Sequence, residues 1–124
     1  MMRKRSFTVF LIVLLSFVMS GCTETPKIGG PLKSENLKDG VYQGSYRGGR
    51  NKAIVEVTIK GGKITEIKLL KHIAVWKGRR AESVIPGRII ENQSTNVDAV
   101  SGATNSSHVI MNAVQKAVEK ASHN

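Results

Sequence analysis

Cysteine is nearly absent from this chain: Cys22 stands alone among 124 residues, so no internal disulfide can staple a fold. Aromatic residues make up only 5% of the chain, and no aromatic-studded basic motif of the kind that stacks on nucleobases occurs among them. Acids are scarce too, nine against nineteen Lys and Arg, giving a formal net charge of +10. Carboxylate pairs at catalytic spacing are missing, and His72, His108 and His123 form no ligand set, so no metal site is expected. No apolar run reaches the roughly 20 residues that span a bilayer. No internal repeat is visible.

The N-terminus has the three-part layout of a secretory signal over residues 1–21. Arg3, Lys4 and Arg5 form a charged start, and Phe7 to Met19 is apolar except for Thr8 and Ser16. Ser20 and Gly21 then lead into Cys22. Met19-Ser20-Gly21-Cys22 resembles the lipobox of bacterial lipoproteins, departing from it in having Met19 where Leu is usual. The resemblance implies acylation of Cys22 and lipid anchoring on the extracytoplasmic face of the cell membrane. Each buried CH₂ contributes about 0.8 kcal/mol, so two or more acyl chains hold a protein stably. The alternative is ordinary signal cleavage that leaves a free thiol. Export separates the basic surface from nucleic acid, which is not an expected partner; anionic lipid headgroups and wall polymers are.

Residues 22–37 contain Pro26, Pro31 and the Gly29-Gly30 pair and few apolar side chains, the composition of a flexible spacer. Residues 38–124 are long enough for one small domain. A strand is expected over Val41 to Tyr46. Ala53, Val55, Val57 and Ile59 then alternate with polar residues, Gly61-Gly62 turns the chain, and Ile64 to Leu70 returns as a hairpin partner. Ile64 is out of phase with Ile67 and Leu69, which leaves the register near the turn open. His72 to Arg80 reads as a loop, and Ala81 to Gln93 as a short helix begun or interrupted at Pro86. Ser94 to Asn105 reads as a polar connection. Val109, Ile110, Ala113, Val114, Ala117, Val118 and Ala121 recur at three- and four-residue steps, predicting a helix from Ser106 to Ala121. Strands first and helices later predict an α+β fold, a small antiparallel sheet with helices packed on one face.

Asp98-Ala99-Val100-Ser101-Gly102-Ala103-Thr104 ends where that last helix begins. A helix start has backbone amides without partners and the positive end of the macrodipole, so it suits a phosphate. Gly102 allows close approach, and the hydroxyls of Ser101, Thr104, Ser106 and Ser107 add donors. On this local chemistry alone plain capping is the simpler account, because Ser and Thr ahead of a helix are ordinary caps. The order of residues adds more. Asp98-x-x-Ser101-Gly102-Ala103-Thr104 resembles the flavinylation motif of the FMN-binding domain family. The likeness runs from Asp39-Gly40-Val41-Tyr42-Gln43-Gly44 through Gly62-Lys63-Ile64-Thr65 and Ile89 to Ser94, on to the motif and the closing helix.

That resemblance implies that FMN is joined through its phosphate to the hydroxyl of Thr104, with Asp98, Ser101, Gly102, Ala103, Ser106 and Ser107 around it. It also implies a maturation partner, FAD:protein FMN transferase, which splits FAD and moves FMN onto the hydroxyl. Asp98 would serve recognition by that enzyme or organise the loop. For a wall against the flavin ring, Tyr42, Tyr46, Trp76 and Met111 are the available side chains, and His72 reads as no more than a loop residue. The basic segment with Lys77, Arg79 and Arg80 would favour a reduced, anionic ring. The expected function is a tethered redox carrier serving a membrane oxidoreductase or other redox partner; a flavin-dependent reductase with its own substrate is disfavoured, because no second pocket motif or catalytic pair is visible. The competing reading is a non-redox surface lipoprotein, a wall-binding or assembly module in which Thr104 only caps a helix.

Overall fold

The computed structural model describes residues 24–123. Residues 1–21, expected to be a signal sequence, and Cys22 lie outside the described residues. Three strands, β1 (Gly40–Gly48), β2 (Asn51–Lys60) and β3 (Lys63–Ile73), form an antiparallel meander in the order β1-β2-β3. Two helices follow, α1 (Ile85–Asn92) and α2 (Thr104–His123). The fold is α+β, with both helices covering one face of the sheet.

The alternation in β2 places Ala53, Val55, Val57 and Ile59 on the covered face, each fully buried. They meet the apolar stripe of α2, where Val109, Ile110, Ala113, Val114, Ala117 and Ala121 are also fully buried. α2 lies so close to β1 that a side chain does not fit between them. A Cβ on Gly44 would collide with the Ala113 carbonyl oxygen and sit 2.5 Å from the Ala117 nitrogen. The absence of a side chain at position 44 therefore sets the helix-to-sheet distance.

The phase of β3 is resolved by two bulges. Pairing skips Thr65 between Thr58↔Glu66 and Ile59↔Ile64, and skips Leu70 between Val55↔Leu69 and Ile54↔Lys71. One extra residue at each place flips the side-chain parity. Ile64, Ile67, Leu69 and His72 consequently stand opposite the inward residues Ile59, Val57, Val55 and Ala53. β3 also runs to Ile73, past the expected end at Leu70, so His72 belongs to a strand and not to a loop. Its side chain is 1% exposed, Nδ1 lies 2.8 Å from Glu82 Oε1, and its buried Nε2 has no partner among the described residues.

α1 begins with Pro86 in its first turn, where a missing N–H costs nothing. It ends at Gln93, which adopts the left-handed conformation at φ 47°. The Gln93 side-chain amide then imitates a strand partner, accepting from the Ile64 N–H and donating to the Ile64 carbonyl, both at 2.9 Å. These bonds offset the roughly 1 kcal/mol cost of the backbone there.

The segment expected as a flexible spacer is instead docked on the domain from Thr25 onward. Asn112, fully buried on α2, accepts from the Ile28 N–H at 3.1 Å and donates to the Pro26 carbonyl at 2.7 Å. Gly30 and Thr95 exchange backbone and side-chain bonds, and Leu32 N–H reaches the Gln93 carbonyl at 3.0 Å. Composition missed this because the partners are supplied by α2 and the 93–95 stretch, far away in sequence.

Candidate functional site

α2 starts two residues earlier than the periodicity predicted, so Thr104 is its first residue. Ala103 precedes it and its carbonyl accepts the first helical bond, from Ser107 N–H at 2.9 Å. Ala103 thus holds the cap position, and a methyl group cannot bond to the amides ahead of it. The N–H groups of Thr104, Asn105 and Ser106 find no acceptor among the described residues. Gly102, at φ +81°, turns the chain into this start, and nothing stands within 4 Å of where its Cβ would be. An uncapped helix mouth with open space above it is suited to an external anion.

Those amides open into a cleft of roughly 310 Å³ lined by Asn51, Val75, Gly78, Gly102, Ala103, Thr104, Asn105 and Ser106. Thr104 is half-buried there. Ser106 Oγ, almost fully buried, donates to Asn51 Oδ1 at 3.2 Å and so ties the helix mouth to the β1–β2 turn. Gly78 lets the loop after β3 lie against the same turn of helix: a Cβ there would strike Ser106 Oγ and come within 2.9 Å of Ala74 Cβ. The cleft therefore has a polar floor at the helix mouth and an apolar flank at Val75, which is 69% exposed. These features fit a nucleotide with an anionic phosphate and a flat ring.

The motif residues divide in the structure. Gly102, Ala103, Thr104 and Ser106 gather at the cleft. Ser107 is fully buried and faces inward; its hydroxyl donates to the Ala103 carbonyl at 2.7 Å and accepts from Val100 N–H at 3.0 Å, fastening the loop to the helix. Ser101 is exposed and does not line the cleft. Asp98 is exposed too and borders a different depression with Lys27, Arg88 and Asn92; its carbonyl accepts from Arg88 Nη1 at 2.8 Å.

Of the four side chains considered as a ring wall, Met111 is fully buried in the core. Tyr42 packs near the opposite end of the sheet, its hydroxyl donating to the Lys38 carbonyl at 2.9 Å. Tyr46 is half-buried against the core. Trp76 adjoins cleft residue Val75, is 77% exposed, and has Lys77 Nζ 5.6 Å from its ring centre. Asn51, Val75, Gly78 and Asn105 are cleft residues that the sequence did not single out. Only register and tertiary packing bring residue 51 and the 75–78 loop to the helix mouth, and neither leaves a local pattern. No three His, Cys, Asp or Glu side chains converge as a metal set among the described residues.

Comparison with known proteins places residues 48–119 on the model of the FMN-binding domain family, a match that holds β2, β3, α1 and most of α2 with Thr104. A protein of Treponema pallidum (strain Nichols), described as "Uncharacterized protein", is 36% identical over 89 residues, covering 68% of this chain and 24% of that protein. The chain thus spans about a quarter of that relative's length.

Proposed function

The chain belongs to the FMN-binding domain family, and from that membership and the cleft at residue 104 we propose an extracytoplasmic electron carrier, lipid-anchored through Cys22, with FMN held covalently on Thr104. The observation that carries this reading is the placement of Thr104: first residue of α2, half-buried, its own amide and the next two without acceptors among the described residues. A phosphodiester on its hydroxyl keeps one negative charge, which the helix mouth stabilises by about 0.3 to 2 kcal/mol. That is too little to retain a soluble cofactor outside a cell, and an ester bond makes retention independent of affinity.

Attachment would join Thr104 Oγ1 to the FMN phosphorus of FAD as the pyrophosphate bond breaks, with AMP leaving and the hydroxyl proton lost to solvent or to the transferase. The domain needs no base of its own for this step. Bound FMN supplies one- and two-electron chemistry; the protein supplies position. Ser106 and Asn51 hold the helix mouth to the sheet, Ser107 fixes the loop that presents Thr104, and Gly78 brings Val75 to the cleft. A membrane oxidoreductase or other redox partner would donate or accept the electrons. The alternative, a non-redox lipoprotein in which Thr104 caps the helix, is disfavoured because Ala103 and not Thr104 occupies the cap position.

Full-length protein co-produced with FAD:protein FMN transferase tests the reading on a denaturing gel viewed under ultraviolet light. A fluorescent band is expected for the wild type and for Thr104→Ser, and none for Thr104→Ala. A band that survives Thr104→Ala would move the attachment elsewhere and remove the proposal.

A further inference from the structure

The end of the domain that bears the cleft carries a cluster of cations. Register pairs Gly48 with Asn51 across the β1–β2 turn, and Arg47 with Lys52 beside it. Lys52 in turn pairs with Ile73, so the loop after β3 starts at the same end. This brings Arg47, Arg50 and Lys52 to the end from which Lys77, Arg79 and Arg80 also project. Five of the six are exposed and Lys52 is partly so; none is in an ion pair among the described residues. Acids are few here. Between Arg47 and Arg80 there are only Glu56, in mid-sheet, and Glu66, paired with Thr58 toward the other end. Glu82 is engaged by His72, and Glu24 stands beside Thr25.

Among these cations Val75 and Trp76 stand 69% and 77% exposed, the two most exposed large apolar side chains of the described residues. Their exposure in the isolated domain is a cost that burial against a partner surface removes. A Trp flanked by Lys and Arg is the composition that settles at a membrane–water interface.

The path of the chain says which surface. Thr25 N–H donates to Asn105 Oδ1 at 3.2 Å, and the Thr25 carbonyl accepts from His108 Nδ1 at 2.6 Å. The docked leader therefore ends at the mouth of α2, next to the cleft. Cys22 is three residues from Thr25 in sequence, a reach of roughly 10 Å at full extension. An anchor on Cys22 then leaves the domain no slack to float away from the bilayer and holds this end against it.

We propose that the Thr104 end of the domain is a membrane-docking face that seats on anionic lipid, Val75 and Trp76 entering the interfacial layer while the six surrounding cations meet headgroup phosphates. Each cation is drawn to the negative surface potential of an anionic leaflet, and together they orient a domain already tethered. The proposal takes from the preceding reading only the anchor at Cys22. It places the cleft at the bilayer surface.

Trp76 is the only tryptophan of the chain, so its emission reports this face alone. Full-length protein made without the transferase, and hence without flavin absorbance, is mixed with vesicles of brominated phosphatidylcholine, with or without phosphatidylglycerol. Flotation reports the tether; quenching of Trp76 reports docking. A blue shift and quenching are expected on phosphatidylglycerol vesicles, with loss of both in the Arg79→Glu/Arg80→Glu variant, whose exposed substitutions leave the fold intact by circular dichroism. Unquenched emission on phosphatidylglycerol vesicles overturns the proposal, whether or not the protein floats, and leaves a protein as the occupant of this face. Equal quenching on neutral vesicles overturns its electrostatic basis. Failure of the anchor alone gives a different pattern: no flotation with neutral vesicles, but quenching on anionic ones.

Discussion

Replacing Gly44 by Ala adds one methyl group at the tightest place in the molecule. The new carbon would overlap the Ala113 carbonyl oxygen and lie 2.5 Å from the Ala117 nitrogen. An ordinary carbon-to-oxygen approach is about 3.3 to 3.6 Å. Both obstacles are backbone in the most buried stretch of α2, so no side chain can rotate away; the helix must retreat from the sheet by about 1 Å, loosening packing along its length. Overpacking costs typically 1 to 3 kcal/mol, and a backbone obstacle puts this case at about 3. At 4 to 8 °C per kcal/mol for a domain of this size, the melting temperature should fall by about 12 to 24 °C. Gly87→Ala is the internal control. Gly87 lies in α1 with ordinary φ and nothing within 4 Å of a Cβ, so alanine there should stabilise by about 0.5 to 1 kcal/mol. Thermal unfolding of both full-length variants, followed by far-ultraviolet circular dichroism, measures the contrast. A Gly44→Ala melting point within about 4 °C of wild type would refute the close approach as the determinant of helix placement.

Two further outcomes follow from the site and its supports. Thr95→Val removes the hydroxyl that accepts from Gly30 N–H at 3.0 Å and bonds Gln115 Oε1 at 2.7 Å, with little change of shape; a loss of about 2 kcal/mol and faster tryptic cutting at Lys27 and Lys33 are expected, and unchanged proteolysis would mean the leader is held by other contacts. In flavinylated protein, Arg79→Ala and Arg80→Ala should each lower the flavin midpoint potential, because a positive charge at about 10 Å in water-like dielectric favours an anionic reduced ring by about 0.4 kcal/mol, or about 10 mV for the two-electron couple. Redox titration with no shift in either variant would remove these side chains from the flavin's surroundings.

How legible each feature was in the sequence depended on where its cause lies. The alternation of β2 and the stripe of α2 are local, and both elements contain the residues that periodicity assigned to them, because burial on one face writes itself into spacing. Ile64 was a puzzle of the same kind, a break of phase whose cause, the extra residue at Thr65, is visible only once pairing is known. Thr104 and Asn105 read as loop since polar residues resemble a connection; the helix takes them in because Ala103 supplies the first acceptor. The leader misled by composition. Prolines and glycines are also what a segment needs to lie flat along a helix, and the informative residue was Asn112, a polar side chain in the midst of an apolar stripe. His72 was invisible for a related reason: its inward aim depends on the second bulge, at Leu70. At the site, the motif marked the helix mouth where the cleft opens, while the walls of the cleft come from turns brought together by the meander.

The paired bulges of β3 have an evolutionary corollary. Thr65 and Leu70 are supernumerary against β2, so a lineage could delete either one and keep Ile64, Ile67, Leu69 and His72 all turned to the core. Loss of a single residue between them, Lys68 for instance, would instead turn one part of the strand inside out. The strand is thus punctuated by two editable positions around a frame that cannot shift, and length variation among descendants of this chain should collect at those two points.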